Sequence, residues 1–405
     1  MITFRNPQTD ERLKRMRRKL LIFMGIATAI SAGISSYQLT GLLFTEYLYE
    51  KDFVQYFLMG HALRSGANLY SPISELAAQF DPDLNKWFNV SAYPPIVAVV
   101  GLPLSYLPYF WSVIAWMLFE VACLGVVIFL IIKHFGGRSA STPVLVTICL
   151  FIGWRPLYVD LYLGQLMIPI LLLLTLCWLA LKQGRDLKAG LLLGCVIAIK
   201  LYAWPLALFL LLKGRWRACL ATIIVFLTAN GLMMGWVGRA TVYDYYFRVG
   251  SKVLAEYQFD PFNFSAWCIG LRSFGVVGAV TMVTAVLLGS LYLALRSKDF
   301  DSGFMVMLAA ATVLQPISWI HYLITLLPAF CLMANRQKFE RYELFLGLFL
   351  VLLILPGFHS VAYTHPPMAT WPPFLFIIGL IWLIGPKIGA AQRTLSNLAV
   401  TAETA

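Results

Sequence analysis

Apolar runs close to 20 residues long follow one another along nearly the whole chain, and this recurrence limits the fold more than any other feature. Of 405 residues, 60% are hydrophobic and 12% charged, and the mean hydropathy is +0.77. That is too little polar surface to cover a soluble globule. In hydrocarbon the backbone must satisfy its own hydrogen bonds, and runs this long and continuous suit helices rather than barrel strands. The expected fold is all-α: a polytopic membrane helical bundle of about 12 transmembrane helices, with 11 to 13 as the range.

The runs cover 20–44, 94–107, 109–132, 143–158, 164–181, 189–212, 218–237, 274–295, 303–317, 319–334, 342–357 and 371–386. A basic segment at 1–19, with Arg5, Arg12, Lys14, Arg15, Arg17, Arg18 and Lys19, precedes the first run and marks a cytoplasmic N-terminus. The first run is long for a signal peptide and reads as an uncleaved span. Three parts are expected: the basic segment 1–19, a membrane domain over 20–386 and a cytoplasmic tail over 387–405. The net charge of +12 falls in short clusters between apolar runs, the topogenic pattern rather than a nucleic-acid footprint. Alternation from a cytoplasmic start puts the clusters at 213–217, 296–298 and 336–338 inside. It puts those at 133–138 and 182–188 outside, against the positive-inside rule.

The polar residues gather on the outer side. The longest interruption of the apolar pattern runs from Thr45 to Ala92 and carries Asp52 just past the first span, where a water-soluble group can meet a lipid-borne one. A helical stripe of Phe53, Tyr56, Phe57 and Ala62 follows it, so Asp52 also suits the start of a short amphipathic helix. Glu50 and Lys51 precede it, which leaves two readings: Lys51 pairs with Asp52 and weakens it as a base, or Glu50 shares its role. Inside apolar runs the charges are few. Lys200 is one, costing about 2.5–3.5 kcal/mol on insertion scales unless it finds a partner, a cavity or the interface. Glu120 is another, with no partner legible. Seven scattered cysteines lack ligand spacing, and no His and carboxylate set has metal spacing, so no metal is expected.

The ordered stretches Asp52-Phe53-Val54-Gln55-Tyr56-Phe57, His61-Ala62-Leu63-Arg64-Ser65-Gly66, Tyr93-Pro94-Pro95, Gly164-Gln165, Ala198-Ile199-Lys200 and Ser318-Trp319-Ile320-His321-Tyr322 resemble one known family. They are similar to the polyprenol-phosphate-mannose-dependent α-mannosyltransferases of the glycosyltransferase C superfamily, among them enzymes that elongate phosphatidylinositol mannosides. The resemblance covers about 50–325. It implies a long first extracytoplasmic loop at 45–92 and transfer of a hexose, mannose first, from a polyprenyl-phosphate donor to a glycolipid or glycan acceptor. The reaction would take place on the outer face of the plasma (inner) membrane.

Asp52 aligns with the family's acidic base and His321 with its later outer-face histidine. Lys200, Arg155 and Arg272 are candidates for the donor phosphate, and Tyr56, His61, Tyr93 and Gln165 for acceptor or sugar contacts. A departing phosphate needs cations nearby, whereas the acceptor hydroxyl needs a base, so one carboxylate suffices for a single inverting displacement. No second carboxylate is legible at matching depth. The lipid-linked sugar is a substrate, so no cofactor is expected. An envelope oligosaccharide ligase and a lipid-linked sugar flippase or transporter are the competing readings; the oligomeric state is not legible.

Overall fold

The computed structural model describes residues 51–84, 90–135, 142–336 and 366–385, with scattered helical positions between 22 and 40. The segments at 1–19 and 387–405, the run 342–357 and Glu50 lie outside the described residues. Every regular element described is helical. In chain order they are α1 (Phe53–Ser65), α2 (Ile73–Phe80), α3 (Val97–Gly101), α4 (Tyr109–Phe135), α5 (Thr142–Ile152), α6 (Arg155–Leu163), α7 (Met167–Lys182) and α8 (Asp186–Ile199). There follow α9 (Trp204–Leu212), α10 (Trp216–Val237), α11 (Arg239–Asp244), α12 (Gly250–Tyr257), α13 (Ala266–Arg296), α14 (Phe300–Leu314), α15 (Leu327–Arg336) and α16 (Pro366–Ile384).

Among the described residues three helices, α4, α10 and α13, are long and apolar enough to cross a membrane, and α5 with α6 forms a fourth such length bent by 44°. The remaining apolar helices are shorter. α13 is broken at Phe274 and Gly275, where Gly275 takes φ +67°. Lipid-facing flanks follow from the same apolar composition that fills the core: Phe274, Val277 and Leu227 lie exposed while Phe304, Leu308 and Phe330 are fully enclosed.

Two apolar runs depart from a single straight crossing, the second at the interruption that Lys200 and Pro205 already mark in the sequence, and the two changes in crossing number cancel. The run 94–107 does not cross. Pro94, Pro95 and Pro103 divide it into the five-residue α3 and a 3-10 turn, Leu104–Tyr106, because proline lacks the amide that would continue a helix. The run 189–212 is two helices, α8 and α9, parting at Lys200, whose extended backbone (φ −154°, ψ 117°) ends α8. α8 and α10 run parallel. A Cβ at Gly190 would lie 2.2 Å from the Ala218 carbonyl oxygen and one at Gly194 would lie 2.6 Å from Val225 Cβ, so matching positions advance together. Small residues permit that approach. The intervening α9 therefore returns to the end from which α8 started.

One end of the bundle is tied by polar contacts. Lys182 Nζ donates to His134 Nε2 at 2.9 Å and to Asp301 Oδ2 at 2.7 Å, while Asp301 Oδ1 accepts from Trp178 Nε1 at 2.9 Å. Arg215 pairs with Asp186 at 3.0 Å, and Lys213 donates to the Leu295 carbonyl. These contacts join the ends of α4, α7, α8, α9, α10, α13 and α14. Lys133 and the 182–188 cluster thus lie at the same end as 213–217 and 296–298, not at the opposite end as alternation through 94–107 implied.

The other end holds α1 to α3, α12 and the turn before α14's successor. Asn263 Oδ1 accepts from the Ser318 amide at 2.9 Å, and the Phe264 amide donates to the Ser318 carbonyl. The stretch 45–92, expected as a polar loop, contributes α1 and α2. α1 is enclosed on nearly all sides, from Phe53 to Leu63, instead of carrying one apolar stripe. Its closest approach is to α3, where Gly60 and Gly101 face each other backbone to backbone.

Candidate active site

Asp52 stands at the first turn of α1 but caps nothing. Its backbone is already helical (φ −60°, ψ −22°) and its carboxylate makes no bond to the helix-start amides. Two glutamine amides hold it instead. Gln55 Nε2 donates to Oδ1 at 3.3 Å while its Oε1 accepts from the Ala92 amide, and Gln165 Nε2 donates to Oδ2 while its Oε1 accepts from the Tyr93 hydroxyl at 2.8 Å. Each amide is fixed by its second bond, so the carboxylate is aimed. Burial pushes the Asp52 carboxyl above the usual carboxylate range, partly offset by the Lys200 ammonium and then by the Gln55 and Gln165 bonds. A small cleft reaches it, lined by Asp52, Gln55, Val90 and Ala92 and roofed by Lys252 and Glu256 of α12.

Gln165 owes its place to the turn between α6 and α7. Gly164 ends α6 with φ +63°, a left-handed conformation that favours glycine, and a Cβ there would press on Phe53 Cβ at 3.0 Å. The Gln165 amide then bonds back to the Asp160 carbonyl at 3.0 Å, and Trp116 Nε1 donates to the Gly164 carbonyl at 3.0 Å.

Lys200, at the break between α8 and α9, enters the same region. Its ammonium lies 4.2 Å from the Tyr322 ring centre and 5.6 Å from that of Tyr93, contacts favourable to a cation over aromatic faces. The charges that act on it are those of Asp160 and Asp52. His321 also feels Lys200; it is buried, stacked on Tyr322 at 4.9 Å, with Nε2 unpartnered. Tyr56 packs edge-on against Tyr93 at 5.4 Å, its hydroxyl buried and unpartnered. Asp52, Tyr56, Tyr93, Gln165, Lys200 and His321 therefore come together from five separate stretches of chain, the first two sharing the start of α1.

Three expected site residues are placed elsewhere. His61 packs between Phe57 and Phe80, with Nδ1 3.2 Å from Arg64 Nη2, two turns along α1 from Asp52. Burial, then the Arg64 charge, push it down to about 4. Arg272 turns its Nη2 to the carbonyls of Asp260 and Asn263, bracing the turn that enters α13. Arg155 opens α6, and among the described residues it makes no hydrogen bond or ion pair with the Asp52 group. Long, flexible cationic side chains satisfy themselves on nearby carbonyls, which spacing along the chain does not reveal.

Lys51 does not pair with Asp52. Its ammonium, 1% exposed, donates to the Tyr162 carbonyl and lies within electrostatic reach of Glu120, with which it makes no ion pair. Burial lowers Lys51 to about 8, and Glu120 pulls it back upward. The expectation of a single carboxylate is also corrected. Asp160 on α6 is fully enclosed, acts on Lys200 and on Tyr93, and faces the Met167 and Ile168 amides at the start of α7. Its signal was present: a carboxylate in the apolar string Leu157-Tyr158-Val159-Asp160-Leu161-Tyr162, the same pattern that singled out Lys200.

Residues 92–270 match the model of glycosyltransferase family 87. That segment carries Tyr93, Asp160, Gln165 and Lys200, while Asp52 and His321 lie on either side of it. The chain is similar to a polyprenol-phosphate-mannose-dependent α-(1-2)-phosphatidylinositol pentamannoside mannosyltransferase of Mycolicibacterium smegmatis, 28% identical over 58% of this chain and 59% of that one. The protein of the same description from Mycobacterium tuberculosis is 27% identical over 62% of this chain and 59% of its own length. An α-(1->3)-arabinofuranosyltransferase of Mycobacterium tuberculosis is 24% identical over 72% of this chain and 63% of its own. The match thus spans about three-fifths of each relative. The family resemblance carried by the sequence motifs is the one that these comparisons return.

Proposed function

We propose that this protein is an integral-membrane glycosyltransferase that moves a hexose, mannose first, from a polyprenyl-phosphate donor to a lipid- or glycan-linked acceptor with inversion. The observation that carries this reading is the aimed carboxylate of Asp52 at the foot of a cleft, with the Lys200 ammonium behind it, beside a family 87 segment. The acceptor hydroxyl oxygen attacks the anomeric carbon, the bond from that carbon to the phosphate oxygen breaks, and the hydroxyl proton passes to Asp52. Polyprenyl phosphate leaves as an anion, with the Lys200 ammonium as its counter-charge and His321 beside Tyr322, on whose ring Lys200 rests. Tyr56, Tyr93 and Gln165 line the sugar side. No cofactor or metal enters this scheme, so transfer in the presence of EDTA belongs to the test.

The end carrying Lys133, Lys182, Lys213 and Arg296 is assigned to the cytoplasm by the positive-inside rule, which sets Asp52 on the extracytoplasmic face of the plasma membrane. The arabinofuranosyltransferase relatives favour a pentose as the second donor to try. The test is transfer of radiolabelled mannose from polyprenyl-phosphate mannose to membrane acceptors in proteoliposomes, wild type against Asp52→Asn. Labelling that Asp52→Asn abolishes supports the reading. Equal labelling by both removes Asp52 as base, and no labelling from mannosyl or pentosyl donors turns the reading toward an oligosaccharide ligase or a flippase.

A further inference from the structure

Asp160 is the group the proposed chemistry leaves without a task. It has no exposed surface, and neither carboxylate oxygen has a hydrogen-bond partner of good geometry. An enclosed carboxylate is costly unless something opposes its charge. Two things near it do so: the Lys200 ammonium, and the first amides of α7, those of Met167 and Ile168. Both lead to Asp52. The α7 amides follow directly on Gln165, whose own amide bonds to the Asp160 carbonyl and whose side chain donates to Asp52. Lys200 makes no ion pair within the bundle's described residues and rests on the faces of Tyr93 and Tyr322, which supply attraction but no direction.

We infer that Asp160 is a positioning residue for the base: it fixes the α6–α7 turn that presents Gln165 and draws the Lys200 ammonium to its place between two carboxylates. The inference rests on the reading of Asp52 as base. It separates Asp160 from a mere start to α7, because a helix-start carboxylate would not govern the charge seen by Asp52. The groups facing Asp52 are Lys200, Tyr56, Tyr93 and Tyr322, with Lys252 and Glu256 across the cleft. Those facing Asp160 are Lys200, Glu120, Tyr56, Tyr93 and Tyr322, and His321 faces Lys200. With Asp160 neutral, the Lys200 charge acts on Asp52 unopposed, and Asp52 becomes a weaker base.

The experiment is the pH dependence of sugar transfer for wild type, Asp160→Asn and Asp160→Glu in proteoliposomes, with thermal unfolding of each variant in detergent. Asp160→Asn is expected to lower kcat about 100-fold, the scale of a misplaced reacting group, with KM for the donor changing far less. Its acid limb should move to lower pH, and Asp160→Glu should restore part of the rate and return the limb toward that of wild type. A rate loss that follows the folded fraction with the acid limb unmoved, or wild-type transfer by Asp160→Asn, overturns the inference while leaving Asp52 in place. Absence of transfer by wild type overturns the reading beneath it instead.

Discussion

Gln165 donates its side-chain amide to Oδ2 of Asp52 across a sequence separation of 113 residues, and its other end is held by the Tyr93 hydroxyl at 2.8 Å. A base aimed in this way loses its direction when the amide is removed. Gln165→Leu is expected to lower kcat about 10- to 100-fold, part of what a positioned base contributes. Steady-state transfer at saturating donor measures it, and an unchanged kcat would free Gln165 of the role.

The carboxyl of Asp52 is raised by burial, so the proton leaves at a pH above the ordinary value of about 3.9. Only the deprotonated form accepts a proton from the acceptor, so kcat/KM should fall as pH drops through that raised value. Gln55→Leu removes a hydrogen bond that favours the charged form and should carry the acid limb to still higher pH. A limb that stays put in Gln55→Leu would assign it to another group.

Lys51 and Glu120 are both enclosed, at 1% and 0% exposure, and each opposes the other's charge. Removing one charge takes away what opposes the other, so Lys51→Met is expected to lower stability. The double variant Lys51→Met with Glu120→Gln should recover most of that loss. Chemical denaturation in detergent compares the three, and additive losses would show that the two charges are independent.

Gly101 meets α1 at a distance that admits no side chain. A Cβ there would lie 1.7 Å from the Tyr56 carbonyl oxygen. Gly101→Ala should push α3 away from α1, costing about 1–3 kcal/mol or more as an overpacked contact, and move Tyr56 and Asp52 with it. Lower thermal stability together with lower transfer is the expected pair of results. Gly184→Ala, at an exposed left-handed position with open space around it, is the control, in which only stability should change.

The bundle's polar end gathers loops that simple alternation separated. In a cysteine-free background, Gly184→Cys and Lys298→Cys should react with an impermeant thiol reagent from the same side of the membrane, and Asn68→Cys from the opposite side. Labelling of Gly184→Cys together with Asn68→Cys would reverse the arrangement drawn from the Lys182, His134 and Asp301 contacts.

Much of the site could be read in advance because its members break a pattern. Lys200 interrupts an apolar run and Asp52 follows the first span, whereas Gly164-Gln165, at the start of the run 164–181, is marked by the family resemblance alone. His61 and Arg272 have the same kinds of side chain in similar settings, yet they turn to Phe80 and to the Asp260 carbonyl. Residue type states what a group can bind; the neighbouring backbone decides what it does bind.

Hydropathy by itself determined that the chain is helical and membrane-embedded, since apolar segments of this length leave the backbone no other way to pair its own polar groups. It counted 94–107 as one crossing and 189–212 as one, where the first holds only the five-residue α3 and a 3-10 turn and the second holds two helices. Apolarity reports solvent, not direction. Only the tertiary structure decided that α8 and α10 run parallel through Gly190 and Gly194, that the Lys51 charge acts on Glu120 instead of Asp52, and that Asp160 joins Asp52 at Lys200. These relationships connect residues distant in sequence through close packing, and packing is a property of the folded backbone.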